Sequence, residues 1–202
     1  MNYLHLNDKI KKPATFIHIP KNGGNSIYKW LLQYGNVEVG HGGRREKLKL
    51  GVPKHATFTE AKDIIAEKHP KLDMGVTFAV ARNPYSRIVS SYLYGIKRKH
   101  LEQCTFEEYI VEKIHDNWYT QLIFTPQVEF VRGLQIVLKL ENIEQDLKKI
   151  SQAIGAQKHF DNLGTYNSTP TYDYREYYDN DTQIEIVTEM YKEDIKQFGY
   201  SF

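Results

Sequence analysis

The sequence predicts an α/β fold with a mostly parallel central sheet flanked by helices. Three short apolar runs, at residues 14–19, 75–81 and 134–140, have the length and the β-branched content of strands. Each run is followed by a segment whose apolar residues recur at helical spacing. This alternation is typical of parallel sheets that are covered by helices on both faces. Because ligands of such sheets bind beyond the carboxyl ends of the strands, we expect a functional site in the loops that follow them.

The first two runs have the same strand–loop–helix pattern. Residues 14–19 end at Pro20 and a glycine pair, and a helical pattern follows. The apolar residues of that helix are Ile27, Trp30 and Leu31. Residues 75–81 are almost all apolar, as expected of a strand that is buried on both faces. The apolar residues of the helix that follows are Ile88, Val89, Tyr92 and Ile96.

The third run leads into another helix. We expect Asn142 to cap this helix, because Gln145 stands three residues later in the capping-box position. Gly155 is predicted to end it. Thr57 and Thr105 are each followed three residues later by a glutamate, so each predicts a capping box and a helix start.

A last helix is predicted over residues 181–197, with Gly199 at its end. Its apolar face contains Ile184, Val187, Tyr191 and Ile195.

Length and composition favour one domain in a reducing compartment. The 202 residues, of which 41% are hydrophobic, suit a single core, so we predict one domain over residues 1–202. A net charge of +2 is too small to indicate a nucleic-acid binder. Cys104 is the only cysteine, which excludes an intramolecular disulfide and a thiolate-rich metal site. No signal peptide or membrane-spanning run is visible, so we expect a cytoplasmic protein.

The loop Lys21–Ser26 has the features of an anion site. It follows a strand and opens a helix, whose N-terminus carries partial positive charge. Gly23 and Gly24 allow backbone N–H groups to approach an anion, and Lys21 adds a full charge. The order of residues differs from a Walker A loop, in which the lysine follows the glycines. Alone, a glycine pair also fits an ordinary strand-to-helix turn.

The segment Arg82–Ser90 has similar features after the second strand. The guanidinium group of Arg82 can reach a phosphate from the end of that strand, and Pro84 suits the start of the next helix. Ser90 lies one helical turn after Ser86, on the same face. An arginine in this position fits a structural ion pair equally well.

Together the two segments resemble the carbohydrate sulfotransferases that use 3′-phosphoadenylyl sulfate (PAPS), a family related to the heparan and chondroitin O-sulfotransferases. His18-Ile19-Pro20-Lys21-Asn22-Gly23-Gly24-Asn25-Ser26 matches the family's 5′-phosphosulfate loop, and Arg82-Asn83-Pro84-Tyr85-Ser86-Arg87 begins its 3′-phosphate segment. The resemblance continues in Leu140–Ile143 and Tyr191–Tyr200, and it covers most of the chain. Asn22 and Asn25 depart from it, because threonine is usual at both positions.

The resemblance implies a P-loop-NTPase-like three-layer fold and sulfuryl transfer from PAPS to a hydroxyl, expected on a glycan. The product nucleotide would be 3′-phosphoadenosine 5′-phosphate, and no metal would be needed. The residues assigned to the 5′-phosphosulfate are Lys21, Gly23, Gly24, Asn25 and Ser26. Arg82 and Ser90 are assigned to the 3′-phosphate. Sulfuryl transfer needs stabilisation of the leaving oxygen, and Lys21 is the candidate for that role.

A histidine is expected to remove the proton of the acceptor hydroxyl. His55 precedes a capped helix, where the family places its base, so it is the first candidate. His41, in a glycine-rich basic loop, is the second, and His18 is expected to be a packing residue. Basic residues near these histidines could bind an acidic acceptor or simply be solvated. They are Arg44, Arg45 and Lys54.

Two other functions remain open at this stage. A P-loop-like nucleotide kinase would require a serine or threonine after the lysine to hold Mg²⁺, and the sequence does not place one there. A noncatalytic nucleotide- or glycan-binding module could keep both loops without turnover. Neither the acceptor nor the oligomeric state follows from the sequence.

Overall fold

The computed structural model describes residues 1–39, 50–113, 118–160, 163 and 173–202. These residues form two compact units. Unit 1 contains the described residues of Met1–Ala81 and Glu129–Asn167, and unit 2 contains those of Arg82–Val128 and Ser168–Phe202. Each unit has its own cluster of buried apolar side chains.

Unit 1 is built on a five-stranded sheet. Its strands are β1 (Asn2–Leu4), β2 (Ala14–Ile17), β3 (Val37–Val39), β4 (Val76–Ala81) and β5 (Ile136–Lys139). Their order is β3-β1-β2-β4-β5, in which β2, β4 and β5 are parallel neighbours and β1 is antiparallel to both β2 and β3. The predicted α/β class and the three predicted strands are therefore confirmed. The sheet is mixed, because β1 runs against the other strands.

The carboxyl ends of β2 and β4 lie at the same edge of the sheet. Ile17, the last residue of β2, pairs with Ala79, and β4 continues to Ala81. Every residue of β4 is buried, as the apolar sequence predicts for a strand covered on both faces.

Two helices pack on one face of this sheet. Helix α1 (Gly24–Leu32) contributes Ile27 and Trp30, and α7 (Ile143–Ala153) contributes Leu147, to the cluster that contains Phe16 of β2. Burial of each large apolar side chain contributes about 1.5–3 kcal/mol, so this layer supplies much of the stability of unit 1. A third helix of the unit is α2 (Phe58–Lys68).

The start of α2 agrees with the sequence, whereas the start of α7 does not. Thr57 forms the predicted capping box with Glu60. Asn142 lies in a short 3-10 turn, outside the extended conformation of a capping residue, and its side chain makes no capping hydrogen bond. The carboxylate of Asp146 instead accepts a hydrogen bond of 3.1 Å from the Lys139 N–H. Gly155, with φ +62°, follows the end of α7 as predicted.

Unit 2 is helical. Its helices are α3 (Pro84–Lys97), α4 (Phe106–Val111), α5 (Trp118–Phe124), α8 (Asp181–Met190) and α9 (Lys192–Phe198), and α6 (Gln127–Val131) begins in it. Thr105 forms the predicted capping box of α4. The prediction of one last helix is wrong, because the backbone of Tyr191 departs from helical geometry, with φ −118° and ψ +26°. This break divides the predicted helix into α8 and α9. Gly199 ends α9 with φ +63°, as predicted.

Candidate functional site

The loop Lys21–Ser26 connects β2 to α1 through two left-handed residues. Lys21 has φ +68° and Gly23 has φ +73°. Glycine adopts this region freely, whereas a residue with a Cβ does so at a cost of about 1–2 kcal/mol. A lysine held in this strained conformation, in the loop between a strand and a helix, indicates a functional role.

A close contact requires glycine at Gly24, whereas the left-handed backbone favours glycine at Gly23. A Cβ at Gly24 would lie 1.9 Å from Nε2 of His18, so only glycine lets the backbone rest on that ring. A Cβ at Gly23 would lie 2.9 Å from Cδ1 of Leu140. The backbone N–H groups at the start of α1 are thereby held in one position, and helix N–H groups in the first turn are available to an anion.

Asn22 fixes this loop to the neighbouring strand. Its side chain is buried, and Nδ2 donates a hydrogen bond of 2.7 Å to the carbonyl oxygen of Val80 in β4. Asn22 therefore has a structural role in the loop, while the side chain of Asn25 is exposed and that of Lys21 is partly exposed. Ser26 is buried at the first turn of α1, where its N–H donates to the Gly23 carbonyl.

His55 and His18 are neighbours beside this loop. The Nδ1 atom of His55 lies 2.8 Å from the carbonyl oxygen of His18, and the ring centroids are 4.6 Å apart. Because a carbonyl oxygen only accepts, Nδ1 of His55 carries a proton, and the lone pair of the neutral ring is on Nε2. The structure thus assigns a tautomer to the first candidate base.

The His18 ring itself is buried, as expected of a packing residue. It is 6% exposed and contacts the rings of Phe16 and His55. Burial, and then the nearby charges of His55 and Lys54, hold the pKa of His18 well below its ordinary value. Burial also lowers the pKa of Lys54. His18 is therefore neutral near pH 7.

The segment Arg82–Ser90 lies in unit 2, where it forms the start of α3. The side chain of Asn83 caps this helix by accepting a hydrogen bond of 3.0 Å from the Tyr85 N–H. Ser86 Oγ accepts hydrogen bonds of 3.1 Å and 2.7 Å from Nε and Nη2 of Arg82. These two bonds hold the guanidinium plane of Arg82, which is partly exposed, in one orientation. Ser90 is buried one turn farther along α3.

The sequence interpretation missed a buried polar group that holds Arg82. Gln127 forms two hydrogen bonds with the main chain of Arg82, and the carboxylate of Asp194 holds Gln127. One signal was available, because Asp194 follows Tyr191 by three residues and therefore falls on the apolar face of the last helical segment. A charged residue on an apolar face indicates a buried polar contact.

Three of the residues considered in the sequence analysis lie outside the described residues. His41, Arg44 and Arg45 lie in residues 40–49, outside the described residues. Within the described ranges, no group of three or more His, Cys, Asp or Glu side chains could hold a metal ion. In the same ranges, no helix has the length and the apolar character needed to cross a membrane.

Comparisons with known proteins identify the family of the chain. Residues 5–201 match the family model described as "Sulfotransferase family". An uncharacterized protein of Archaeoglobus fulgidus is 28% identical over 91 residues, which cover 43% of this chain and 72% of that protein. No solved structure matches the chain. Because the family match covers nearly the whole chain, this protein belongs to the sulfotransferase family, whose members transfer sulfuryl groups.

Proposed function

We propose that this sulfotransferase moves the sulfuryl group of PAPS to a hydroxyl of a carbohydrate. The observation that carries the proposal is the loop Lys21–Ser26, in which a strained lysine and a glycine pair precede a helix N-terminus. We further propose one sulfotransferase domain over residues 1–202, with a P-loop-NTPase-like three-layer arrangement. The family match over residues 5–201 and the complete burial of β4 support this arrangement.

The 5′-phosphosulfate end of the donor would be held by Lys21, Gly23, Gly24, Asn25 and Ser26. The described first turn of α1 carries no acidic residue, so its N–H groups and the Lys21 ammonium act together on an anion. Asn25 is exposed at that turn and can add a side-chain hydrogen bond. These residues fit a doubly charged oxyanion group.

The 3′-phosphate would be held by Arg82 and Ser90. The Arg82 guanidinium is oriented by Ser86, and a planar guanidinium binds phosphate through two hydrogen bonds. Ser90 lies on the same helix face as Ser86.

His55 would act as the base and Lys21 would stabilise the leaving group. PAPS, when bound, supplies the sulfuryl group that the acceptor oxygen attacks. The Nε2 atom of His55 accepts the proton of that hydroxyl, and the His18 carbonyl stabilises the positive ring through Nδ1–H. The Lys21 ammonium donates a hydrogen bond to the oxygen on which negative charge develops. No metal is needed for these steps.

Calorimetry with 3′-phosphoadenosine 5′-phosphate and adenosine 5′-phosphate tests the donor assignment. We expect the first nucleotide to bind more tightly, and Arg82→Ala to reduce its affinity about 10- to 100-fold while changing the second less than about twofold. Equal binding of the two nucleotides by the wild-type chain would count against PAPS as donor. An equal loss of affinity for both nucleotides in Arg82→Ala would show that Arg82 does not contact the 3′-phosphate.

Sulfate transfer from labelled PAPS to a panel of glycans and small alcohols tests the reaction itself. A noncatalytic nucleotide-binding module would bind 3′-phosphoadenosine 5′-phosphate without turning over any acceptor. If only simple alcohols react, PAPS would stand as the donor, and the proposed carbohydrate acceptor would be rejected.

A further inference from the structure

Asp194 is a fully buried carboxylate whose oxygens point at main-chain and side-chain N–H groups. It accepts hydrogen bonds of 2.9 Å from the N–H groups of Gln127 and Val128, and one of 3.1 Å from Nε2 of Gln127. Burial raises the pKa of Asp194, and the hydrogen bonds from Gln127 and Val128 oppose that shift. Because a buried carboxylate without partners is strongly unfavourable, these donors determine where the carboxylate lies.

Arg87 supplies the counter-charge of this group. Its guanidinium is buried, and its positive charge opposes the rise in the pKa of Asp194 that burial causes. Nη1 of Arg87 donates a hydrogen bond of 3.2 Å to the Thr125 carbonyl oxygen, and its Cζ lies 5.9 Å from the centroid of the Tyr191 ring. The two arginines of the segment Arg82–Ser90 therefore differ in role, since Arg87 is part of the core of unit 2 and Arg82 is partly exposed.

Gln127 connects the carboxylate to the main chain of Arg82. Its side chain is also fully buried. Oε1 accepts a hydrogen bond of 2.9 Å from the Arg82 N–H, and Nε2 donates one of 2.9 Å to the Arg82 carbonyl oxygen. These two hydrogen bonds lie one on each side of the Arg82 Cα, so they fix the backbone at Arg82. They thereby also fix the direction in which the Arg82 side chain leaves the backbone.

The hydrogen bond from Gln127 Nε2 to Asp194 sets the amide orientation. A glutamine amide has one accepting and one donating end, and a reversed amide would place its oxygen against the carboxylate. Asp194 therefore selects the orientation in which both Arg82 contacts are satisfied. A second contact holds the next residue, because Nδ2 of Asn83 donates a hydrogen bond of 2.8 Å to the Ser201 carbonyl oxygen.

We propose that Gln127 and Asp194 are positioning residues that aim Arg82 at the 3′-phosphate of the donor, an inference that rests on the proposed function. Neither side chain contacts the nucleotide in this proposal. They act through the Arg82 backbone, and the last helix, α9, thereby contributes through its buried Asp194 to discrimination between nucleotides with and without a 3′-phosphate.

The test compares Gln127→Leu with a matched control. Gln183 is also a buried glutamine of unit 2, and its Oε1 accepts a hydrogen bond of 2.9 Å from Asp179 rather than from Arg82. The readout is the ratio of the affinities for 3′-phosphoadenosine 5′-phosphate and adenosine 5′-phosphate, measured by calorimetry on the full chain. We expect Gln127→Leu to lower this ratio about 10-fold, because small misplacements of a binding group have large effects. Gln183→Leu should leave it within about twofold of wild type, since it does not touch Arg82.

A double-mutant cycle separates positioning from general destabilisation. In an Arg82→Ala background, Gln127→Leu should not lower the ratio further, because the group that it positions is already absent. Asp194→Asn, which keeps the shape of the side chain, should lower the ratio in the same direction, and its result decides the question if Gln127→Leu does not fold.

The outcomes distinguish this inference from the proposed function. A wild-type chain that does not prefer the 3′-phosphorylated nucleotide would overturn the proposed donor. A wild-type preference that Gln127→Leu and Asp194→Asn both retain would overturn the positioning role alone. An additional loss caused by Gln127→Leu in the Arg82→Ala background would also overturn it.

Discussion

The contact between Gly24 and His18 allows a quantitative test of the structure of the loop Lys21–Ser26. In Gly24→Ala, the new Cβ would lie 1.9 Å from Nε2 and 2.1 Å from Cδ2 of His18, far inside contact distance. The ring is buried and contacts the rings of Phe16 and His55, with centroid separations of 5.7 Å and 4.6 Å. Overpacking of this kind costs about 1–3 kcal/mol. Gly24 is the first residue of α1, so alanine gains little of the about 0.5–1 kcal/mol by which it improves a helix interior over glycine. We expect the free energy of unfolding to fall by about 1–3 kcal/mol.

Urea unfolding followed by tryptophan fluorescence measures this change, and a second substitution identifies its cause. In a His18→Ala background the obstructing ring is absent, so Gly24→Ala should cost at least about 1 kcal/mol less than in the wild-type chain. Gly24→Ala with wild-type stability, or with the same cost in both backgrounds, would refute the reasoning.

Gly23→Ala provides the contrast, because its cost has another origin. The backbone there is left-handed, with φ +73°, and the nearest obstacle is the end of the Leu140 side chain. Gly23→Ala should cost about 1–2 kcal/mol, and Leu140→Ala should not relieve it. Relief by Leu140→Ala would show that the contact, rather than the backbone, determines the cost at this position.

Three further predictions concern the same unit. Asn22→Leu removes the hydrogen bond to the buried Val80 carbonyl and should lower the free energy of unfolding by about 1–3 kcal/mol in urea. His55→Ala should reduce sulfate transfer about 10²–10⁴-fold while nucleotide affinity by calorimetry stays near wild type. The lowered pKa of His18 means that, below about pH 6.5, the unfolded chain binds a proton that the folded chain does not. The free energy of unfolding should therefore decrease as the pH is lowered below this value, by up to about 1.4 kcal/mol per pH unit. The slope should decrease in His18→Gln.

Each of these has a result that contradicts it. Asn22→Leu with unchanged stability would mean that the loop does not depend on β4. Unchanged turnover in His55→Ala would transfer the role of base to another group, with His41 as the next candidate. An equal pH slope in His18→Gln and in the wild-type chain would assign the slope to other titrating groups.

Local sequence signals predicted the local features of the fold. Strands β2, β4 and β5 were visible because each lies in a short run rich in apolar residues, and the capping boxes at Thr57 and Thr105 were visible because a capping box involves only four successive residues. The strand–loop–helix structure around Lys21–Ser26 was predicted for the same reason, since its strand, glycine pair and helix are adjacent in sequence.

Features that depend on distant partners were not predicted. Strands β1 and β3 have three residues each, too few for a period to be visible. They pair with one another, and β1 also pairs with β2. At Asn142, a 3-10 turn and the Asp146 carboxylate replaced the expected cap. Contacts between Gln127, Asp194 and Arg82 join residues that are 45 and 67 positions apart, and no local pattern specifies such pairs.

The left-handed conformation of Lys21 also has a consequence for engineering. Glycine at this position would relieve about 1–2 kcal/mol of backbone strain and would remove the charge assigned to the sulfuryl donor. A library selected only for resistance to heat should therefore replace Lys21 early and lose turnover as it does so. A library selected for sulfate transfer should retain the lysine and acquire its stability elsewhere, which makes this residue a marker of which property a selection has acted on.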